Sequence, residues 1–274
     1  MVMPGVYDGF TAKLVEHFGG KAMLLGGYHA GAVLGTAEPL LSASELVSLC
    51  RTIRRASSLP LRVDVGAGFG EPMHVVQLVR DLKAADIDAM MMEDQIYPKR
   101  AHYHRDYREH VIPLEDMLEK LHWAKHTGGD DFYLVGRTDS FRTDGLEEAI
   151  RRCNAFLDGG ADAVQVFPNT LEQATELPRR VKGPVWYSNT RGNRVGRPTL
   201  TPKQARDLGY VGLADGHALF FASFGAMAAT ARAYTPEGGF PAYGDEVTIR
   251  NEIETVMQLE RLYEIEVQTV EKSI

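Results

Sequence analysis

Short apolar runs alternate with longer amphipathic stretches along the whole chain. The runs at residues 5–7, 22–25, 61–65, 89–93, 132–137, 163–167, 185–188 and 211–214 predict strands. Helical spacing of apolar positions marks residues 43–57, 74–85, 114–126, 146–157 and 202–208. Strands that are apolar at nearly every position are buried on both faces, the habit of parallel sheets covered by helices. Eight such runs interleaved with helices predict an α/β fold, a (β/α)8 TIM-type barrel. A doubly wound open sheet is the competing architecture, but no GxGxxG follows the first run.

The punctuation agrees with a barrel. His17-Phe-Gly-Gly, Ala84-Ala-Asp-Ile-Asp-Ala, Asp158-Gly-Gly-Ala-Asp-Ala and Asp207-Leu-Gly-Tyr each end a helical stretch just before an apolar run. Glycine accepts the left-handed backbone that a helix C-cap needs, so these read as turns at the bottom of the barrel. Beyond the eighth run a small-residue helix is expected over 218–233, which divides the chain into a barrel domain at 1–233 and an extension at 234–274. The extension begins with a Pro/Gly-rich linker and carries one further helix, about 246–263, able to reach a neighbouring subunit or to fold back on its own barrel.

Composition adds limits. A 44% hydrophobic content with 24% charge suits a chain that buries a large core. The net charge of -7 argues against nucleic acid or an anionic membrane as partner. No apolar run approaches the roughly 18 residues of a membrane span. Cys50 and Cys153 form no CxxC pair, and the N-terminus lacks a secretion pattern, so a cytoplasmic protein without a disulfide framework is expected.

Charge then reappears where a strand should not carry it. Asp64 ends Leu-Arg-Val-Asp, Glu93 and Asp94 end Met-Met-Met-Glu-Asp, and Arg137 ends Tyr-Leu-Val-Gly-Arg, with Asp139 close behind. A charge at the end of a buried strand is costly, and in a barrel these ends converge on one mouth, where active sites lie. Carboxylates on neighbouring strands suit a hard divalent cation. An arginine beside them offers a planar fork to a carboxylate substrate. Structural ion pairs closing the barrel top are the plainer reading of the same residues. Gly26 and Gly27 follow the second run and can present backbone N–H groups to an anionic oxygen. The long polar connection after the fourth run carries Lys99, Arg100, His102, His104, Arg105, Arg108 and His110, a basic lid in an acidic protein.

Several ordered motifs resemble the isocitrate lyase / phosphoenolpyruvate mutase superfamily. Pro4-Gly-Val-Tyr-Asp-Gly-Phe-Thr-Ala is similar to its opening G-x-[YW]-D-x-x-[ST]-A, and Asp64 through Gly68-Phe-Gly resembles D-x-D-T-G-[FY]-G. Glu93-Asp-Gln-Ile-Tyr-Pro-Lys-Arg resembles E-D-Q-x-x-P-K-[RK], and Arg137-Thr-Asp resembles R-T-D. The likeness runs from about Met3 to Tyr210. It implies chemistry on 2-oxo or 2-hydroxy carboxylates through an enolate, assisted by Mg2+ or Mn2+. It implies Asp64 and Glu93 as the metal residues, with Tyr7, Gly26, Gly27, Arg137, Asn169 and Asn189 around the substrate. Arg137, Tyr7, Lys99, His102 and His104 form the implied catalytic set. A homotetramer or dimer with a swapped C-terminal helix follows from the same resemblance.

The departures decide which reaction to expect. The second aspartate of D-x-D is Gly66, the lyase lid cysteine is absent from Lys99-Arg-Ala-His-Tyr-His, the strand-6 glutamate is Asn169, and the serine before Gly27 is Gly26. Glu38 and Asp94 stand as acids that could compensate at the metal. His102, Tyr103 or His104 would have to serve as the acid of a lyase, which histidine can do near neutrality. The first expectation is a carbon–carbon lyase of a 2-hydroxy or 2-oxo (di)carboxylate, like 2-methylisocitrate or dimethylmalate lyase. The alternatives are phosphonopyruvate mutase or hydrolase, oxaloacetate decarboxylase, and a diverged barrel without metal catalysis.

Overall fold

The computed structural model describes residues 1–87, 89–101 and 110–271. Eight parallel strands form a nearly closed barrel in the order β1-β8-β7-β6-β5-β4-β3-β2. They are β1 (Val2–Pro4), β2 (Met23–Leu25), β3 (Leu61–Asp64), β4 (Ala89–Glu93), β5 (Tyr133–Arg137), β6 (Ala163–Gln165), β7 (Val185–Ser188) and β8 (Gly212–Asp215). The seam between β1 and β2 closes through one parallel bridge, Gly5 to Leu24, and a 2.8 Å hydrogen bond from Val6 N to Leu24 O.

The helices are α1 (Gly9–His17), α2 (Gly27–Val33), α3 (Ala43–Ala56), α4 (Pro72–Lys83), α5 (Leu114–Gly128), α6 (Phe141–Asp158), α7 (Leu171–Arg180), α8 (Pro202–Leu208), α9 (His217–Arg232), α10 (Glu246–Val256) and α11 (Leu259–Thr269). Start signals are local: Asp8, Ser42, Thr170 and Thr201 each accept the N3 backbone N–H in a capping box.

Strand alternation sorts the core into two parts. Leu61 and Val63 face outward with Leu46, Ile53 and Leu78 in the layer between sheet and helices. Met3, Leu24, Met91, Val135, Ala163, Trp186 and Ala214 fill the barrel interior. Arg62 and Asp64 share the inward phase of β3, which puts a charge at two successive levels of the interior.

Three expectations need correction. The first strand is Val2–Pro4 rather than 5–7, because residues 2–4 pair with β8 and leave Gly5 and Val6 to close the seam. The helix expected over 146–157 begins at Phe141 and passes a kink at Gly145, whose φ of 82° is not helical. The single final helix is two, α10 and α11, broken at Gln258 with a left-handed φ of 59°. α9 and α11 contain no buried residue, and among the residues of α10 only Val256 is buried. Among the described residues no helix is long and apolar enough to cross a membrane.

Candidate active site

The upper ends of β3, β4 and β5 bring Asp64, Glu93 and Arg137 together, with Glu93 and Arg137 directly opposite in the register. Arg137 Nη1 lies 2.8 Å from Glu93 Oε2 and 3.6 Å from Asp64 Oδ2. Its Nε and Nη2 donate to Asp139 Oδ1 and Oδ2 at 2.9 and 2.8 Å, a bidentate pairing. Lys99 arrives from the connection after β4, its Nζ 2.7 Å from Glu38 Oε1 and 3.0 Å from Glu93 Oε1. The approach to Glu93 Oε1 is electrostatic rather than a directed hydrogen bond, since that oxygen accepts none among the described residues. The two ends of the connection after β4 are joined by an antiparallel bridge, Gln95 to Val111, and by Ile96 N donating to His110 O at 2.8 Å.

Burial governs the charges. Glu93 has no exposed surface, and its carboxyl is pushed up to about 7, first by burial and against the pull of Arg137 and Lys99. Asp64 is raised as well, again by burial ahead of the attraction of Arg137. Asp139 is held below its ordinary range despite its burial, chiefly by Arg137. Asp94 turns away from the mouth, accepting from Thr138 Oγ1 at 2.7 Å and Arg152 Nη1 at 3.1 Å, so it cannot compensate for Gly66.

Among the described residues, Glu38, Asp64, Glu93 and Asp139 pair with two cations, Lys99 and Arg137, so four carboxylates are gathered around two positive side chains. At Gly66, φ is +54°, and a Cβ would meet nothing nearer than Glu93 Oε1 at 4.0 Å. Open space beside two ionisable oxygens fits a hard divalent cation, although no group of three His, Cys, Asp or Glu among the described residues is close enough to hold one unaided. Asp64 and Glu93 are the residues that would hold it, with water completing the shell.

The mouth opens into a cavity of about 310 Å³. Gly26, Gly27, Glu38, Asp64, Lys99 and Arg137 line it on one side, and Thr190, Arg191, Arg194 and His217 on the other. Gly26 and Gly27 sit at the N-terminus of α2, where backbone N–H groups lack helical acceptors. A Cβ at position 26 would lie 2.6 Å from His29 Nδ1, so any larger residue there would displace the buried His29 ring. The departure from serine therefore has a steric cause in this chain. His29 is itself buried against His217, ring centroids 4.9 Å apart, and burial lowers its pKa to about 4.

Other expected residues lie elsewhere. Tyr7 donates to Ser223 Oγ at 2.8 Å, packs edge-on against Phe220, and does not line the cavity. Asn189 spends its amide on the Leu200 backbone, donating to its oxygen at 3.0 Å and accepting from its nitrogen at 2.9 Å. Asn169 accepts from Arg197 Nε at 3.4 Å, outside the cavity lining. His102 and His104 lie outside the described residues. Sequence reading missed His29, His217, Arg62 and Gln165; the charge inside Leu-Arg-Val-Asp was the one available signal, and the histidines gave none.

A model described as phosphoenolpyruvate phosphomutase matches residues 1–235. Petal death protein of Dianthus caryophyllus is 31% identical over 271 residues, covering 97% of this chain and 84% of that protein. A 2-methylisocitrate lyase of Aeropyrum pernix is 35% identical over 217 residues, covering 77% of this chain and 67% of that one. The structure of a phosphonopyruvate hydrolase complex with oxalate and Mg2+ superposes with a TM-score of 0.83 at 23% identity, covering 98% of this chain and 94% of that one, a likeness of fold.

Proposed function

Since this chain belongs to the phosphoenolpyruvate phosphomutase family, we propose that it is a carbon–carbon lyase of a 2-hydroxy or 2-oxo dicarboxylate, releasing a 2-oxo acid. The observation that carries the reading is the convergence of Asp64, Glu93 and Arg137 at the ends of β3–β5, set beside a cavity large enough for a small diacid.

Each residue has a task in that reading. The N–H groups at Gly26 and Gly27 and the Arg137 guanidinium orient the 2-oxo acid end. Arg137 is itself fixed by Asp139, so little rotational freedom is lost when substrate arrives. Retro-aldol cleavage takes a proton from the 2-hydroxyl, breaks the bond between carbons 2 and 3, and returns a proton to the departing carbon. Glu38, which lines the cavity and is paired with Lys99, is placed to accept the first, leaving Glu93 to the metal. Lys99, bridging Glu38 and Glu93, offers a route along which that proton leaves the mouth. A bound Mg2+ or Mn2+ supplies positive charge that stabilises the charge developing on substrate oxygens. The barrel domain at 1–233, the extension at 234–274 and a cytoplasmic homo-oligomer with a swapped C-terminal helix complete the proposal; the exposed apolar side chains Phe224, Met227, Leu262 and Val267 support the last part.

Incubation with Mg2+ and 2-methylisocitrate, 2,3-dimethylmalate, oxaloacetate or phosphonopyruvate, followed by product analysis, tests the reading. Cleavage of a malate-type substrate to a 2-oxo acid, lost in Asp64→Ala, is the expected result. Turnover of phosphonopyruvate alone would move the assignment to the mutase and hydrolase branch, and turnover of none would remove it.

A further inference from the structure

Among the described residues lining the cavity, one buried arginine has no carboxylate within ion-pair distance. Lys99 pairs with Glu38 and Glu93, Arg137 with three carboxylates, and Arg191 with Asp215. Arg62 is 4% exposed, yet no carboxylate stands within ion-pair distance of it among the described residues. Its Nη2 donates to the neutral Gln165 Oε1 at 3.0 Å, and its guanidinium carbon lies 4.8 Å from the centre of the Trp186 ring. Nη1 is buried with no hydrogen-bond partner among the described residues.

A buried guanidinium without an anion is an expensive arrangement, and arginine does not escape it by giving up its proton. The position is not a chance accommodation on the surface. Arg62 is two residues below Asp64 on the inward phase of β3, roughly 6–7 Å deeper along the strand. It lines the same cavity as Asp64 and Arg137, together with Gln165, Leu24, Met91 and Ala214. The cation at the mouth, Arg137, already has its fork directed at Asp139, while the cation at the floor retains a donor for a ligand.

We propose that Arg62, with Gln165 beside it, binds a second carboxylate of the substrate at the floor of the cavity, so that the enzyme selects dicarboxylates over monocarboxylates. The inference rests on reading this cavity as the substrate site. One carboxylate lies at the Gly26, Gly27 and Arg137 level, and the other points down the barrel axis. Arg62 is thereby a specificity-determining residue and takes no part in proton transfer.

Isothermal titration of the full chain with Mg2+ present tests this with matched probes. Malate is compared with lactate, and 2-hydroxyglutarate with 2-hydroxybutyrate, each pair differing in the second carboxylate. The wild type is expected to favour a diacid. Arg62→Met should weaken that diacid about 10- to 100-fold, the range for a hydrogen bond to a charged group, while its monoacid partner changes by less than about twofold. Arg62→Lys should recover part of the loss. Should Arg62→Met not fold, Gln165→Glu conserves the shape and gives Arg62 an internal carboxylate, and it should weaken the diacid alone. The proposal is overturned when no diacid is preferred by the wild type, or when diacid and monoacid weaken together, as a structural plug would require. A diacid that binds through Arg62 and is never cleaved refutes the lyase reading and leaves this subsite standing.

Discussion

The β3–β5 wall and the wall formed by β7, β8 and the start of α9 face one cavity and handle polar groups in opposite ways. On the first, four carboxylates crowd around Lys99 and Arg137, Glu93 and Asp139 fully buried and Glu38 and Asp64 partly so. On the second, the paired groups hold the chain itself: Asn189 ties the β7–α8 connection to Leu200, and the half-exposed Arg191 pairs with the largely buried Asp215, while Thr190 Oγ1 and His217 Nδ1 have no hydrogen-bond partner among the described residues. Crowded charge is stored potential for binding a cation or moving a proton, whereas satisfied amides and exposed pairs only hold shape. The contrast assigns chemistry to one wall and positioning to the other.

The largest expected effect comes from taking the cation out of the crowded wall. Arg137→Ala leaves Asp64, Glu93 and Asp139 buried without their shared partner, and breaking a buried network of this kind costs about 3–5 kcal/mol. Urea denaturation at pH 7.5 measures it. A loss below about 1 kcal/mol would mean that the carboxylates already carry protons and that the walls differ less than their geometry says.

Acidity probes the same wall more gently. The Glu93 carboxyl is raised from 4.5 to about 7, and Asp94 from 3.8 to about 6, in both cases mainly by burial. A folded pKa above the unfolded value means that the native state holds its proton more tightly. The stabilising contribution is therefore complete below the unfolded pKa and is lost as pH rises through the folded one. In EDTA, these two groups should lower the free energy of unfolding by about 4 kcal/mol between pH 5 and pH 7.5. Glu93→Gln should flatten much of that fall, and saturating Mg2+, which binds the ionised carboxylates, should offset it. Stability that climbs over the interval in EDTA would contradict the charge crowding.

How much of this was legible beforehand follows the same division. Apolar runs declare buried strands, so seven of the eight strands matched to within a residue or two and the Asp64, Glu93 and Arg137 convergence was readable from strand ends alone. Asp139 was visible as a neighbour of Arg137 but not as its bidentate partner, because two residues of separation say nothing about how the chain turns above β5. Tyr7 and Asn189 were legible as residue types and misleading as positions, since a phenol or an amide satisfies backbone and side chains as readily as a ligand. His29 was hidden because its contact with Gly26 and His217 depends on how α2 and α9 meet, a tertiary fact with no local spacing. The break between α10 and α11 was missed because Gln258 carries no glycine signature for its left-handed backbone.

The positioning wall supplies the smallest effects, and their difference in kind is the test. Asn189→Ala removes two hydrogen bonds from a buried site and leaves Leu200 N–H and C=O without partners, a cost of about 1–3 kcal/mol. Buried neutral bonds feel little salt, so that loss should persist unchanged at high ionic strength. Arg191 is about half exposed, its side chain at 48%, so its pairing with Asp215 is worth less than about 1 kcal/mol and should shrink further as salt screens it. Thermal unfolding of both variants at low and high salt separates the two. Were Arg191→Ala to cost as much as Asn189→Ala, the exposed pair would be anchoring the β7–α8 connection, and the second wall would owe its shape to charge after all.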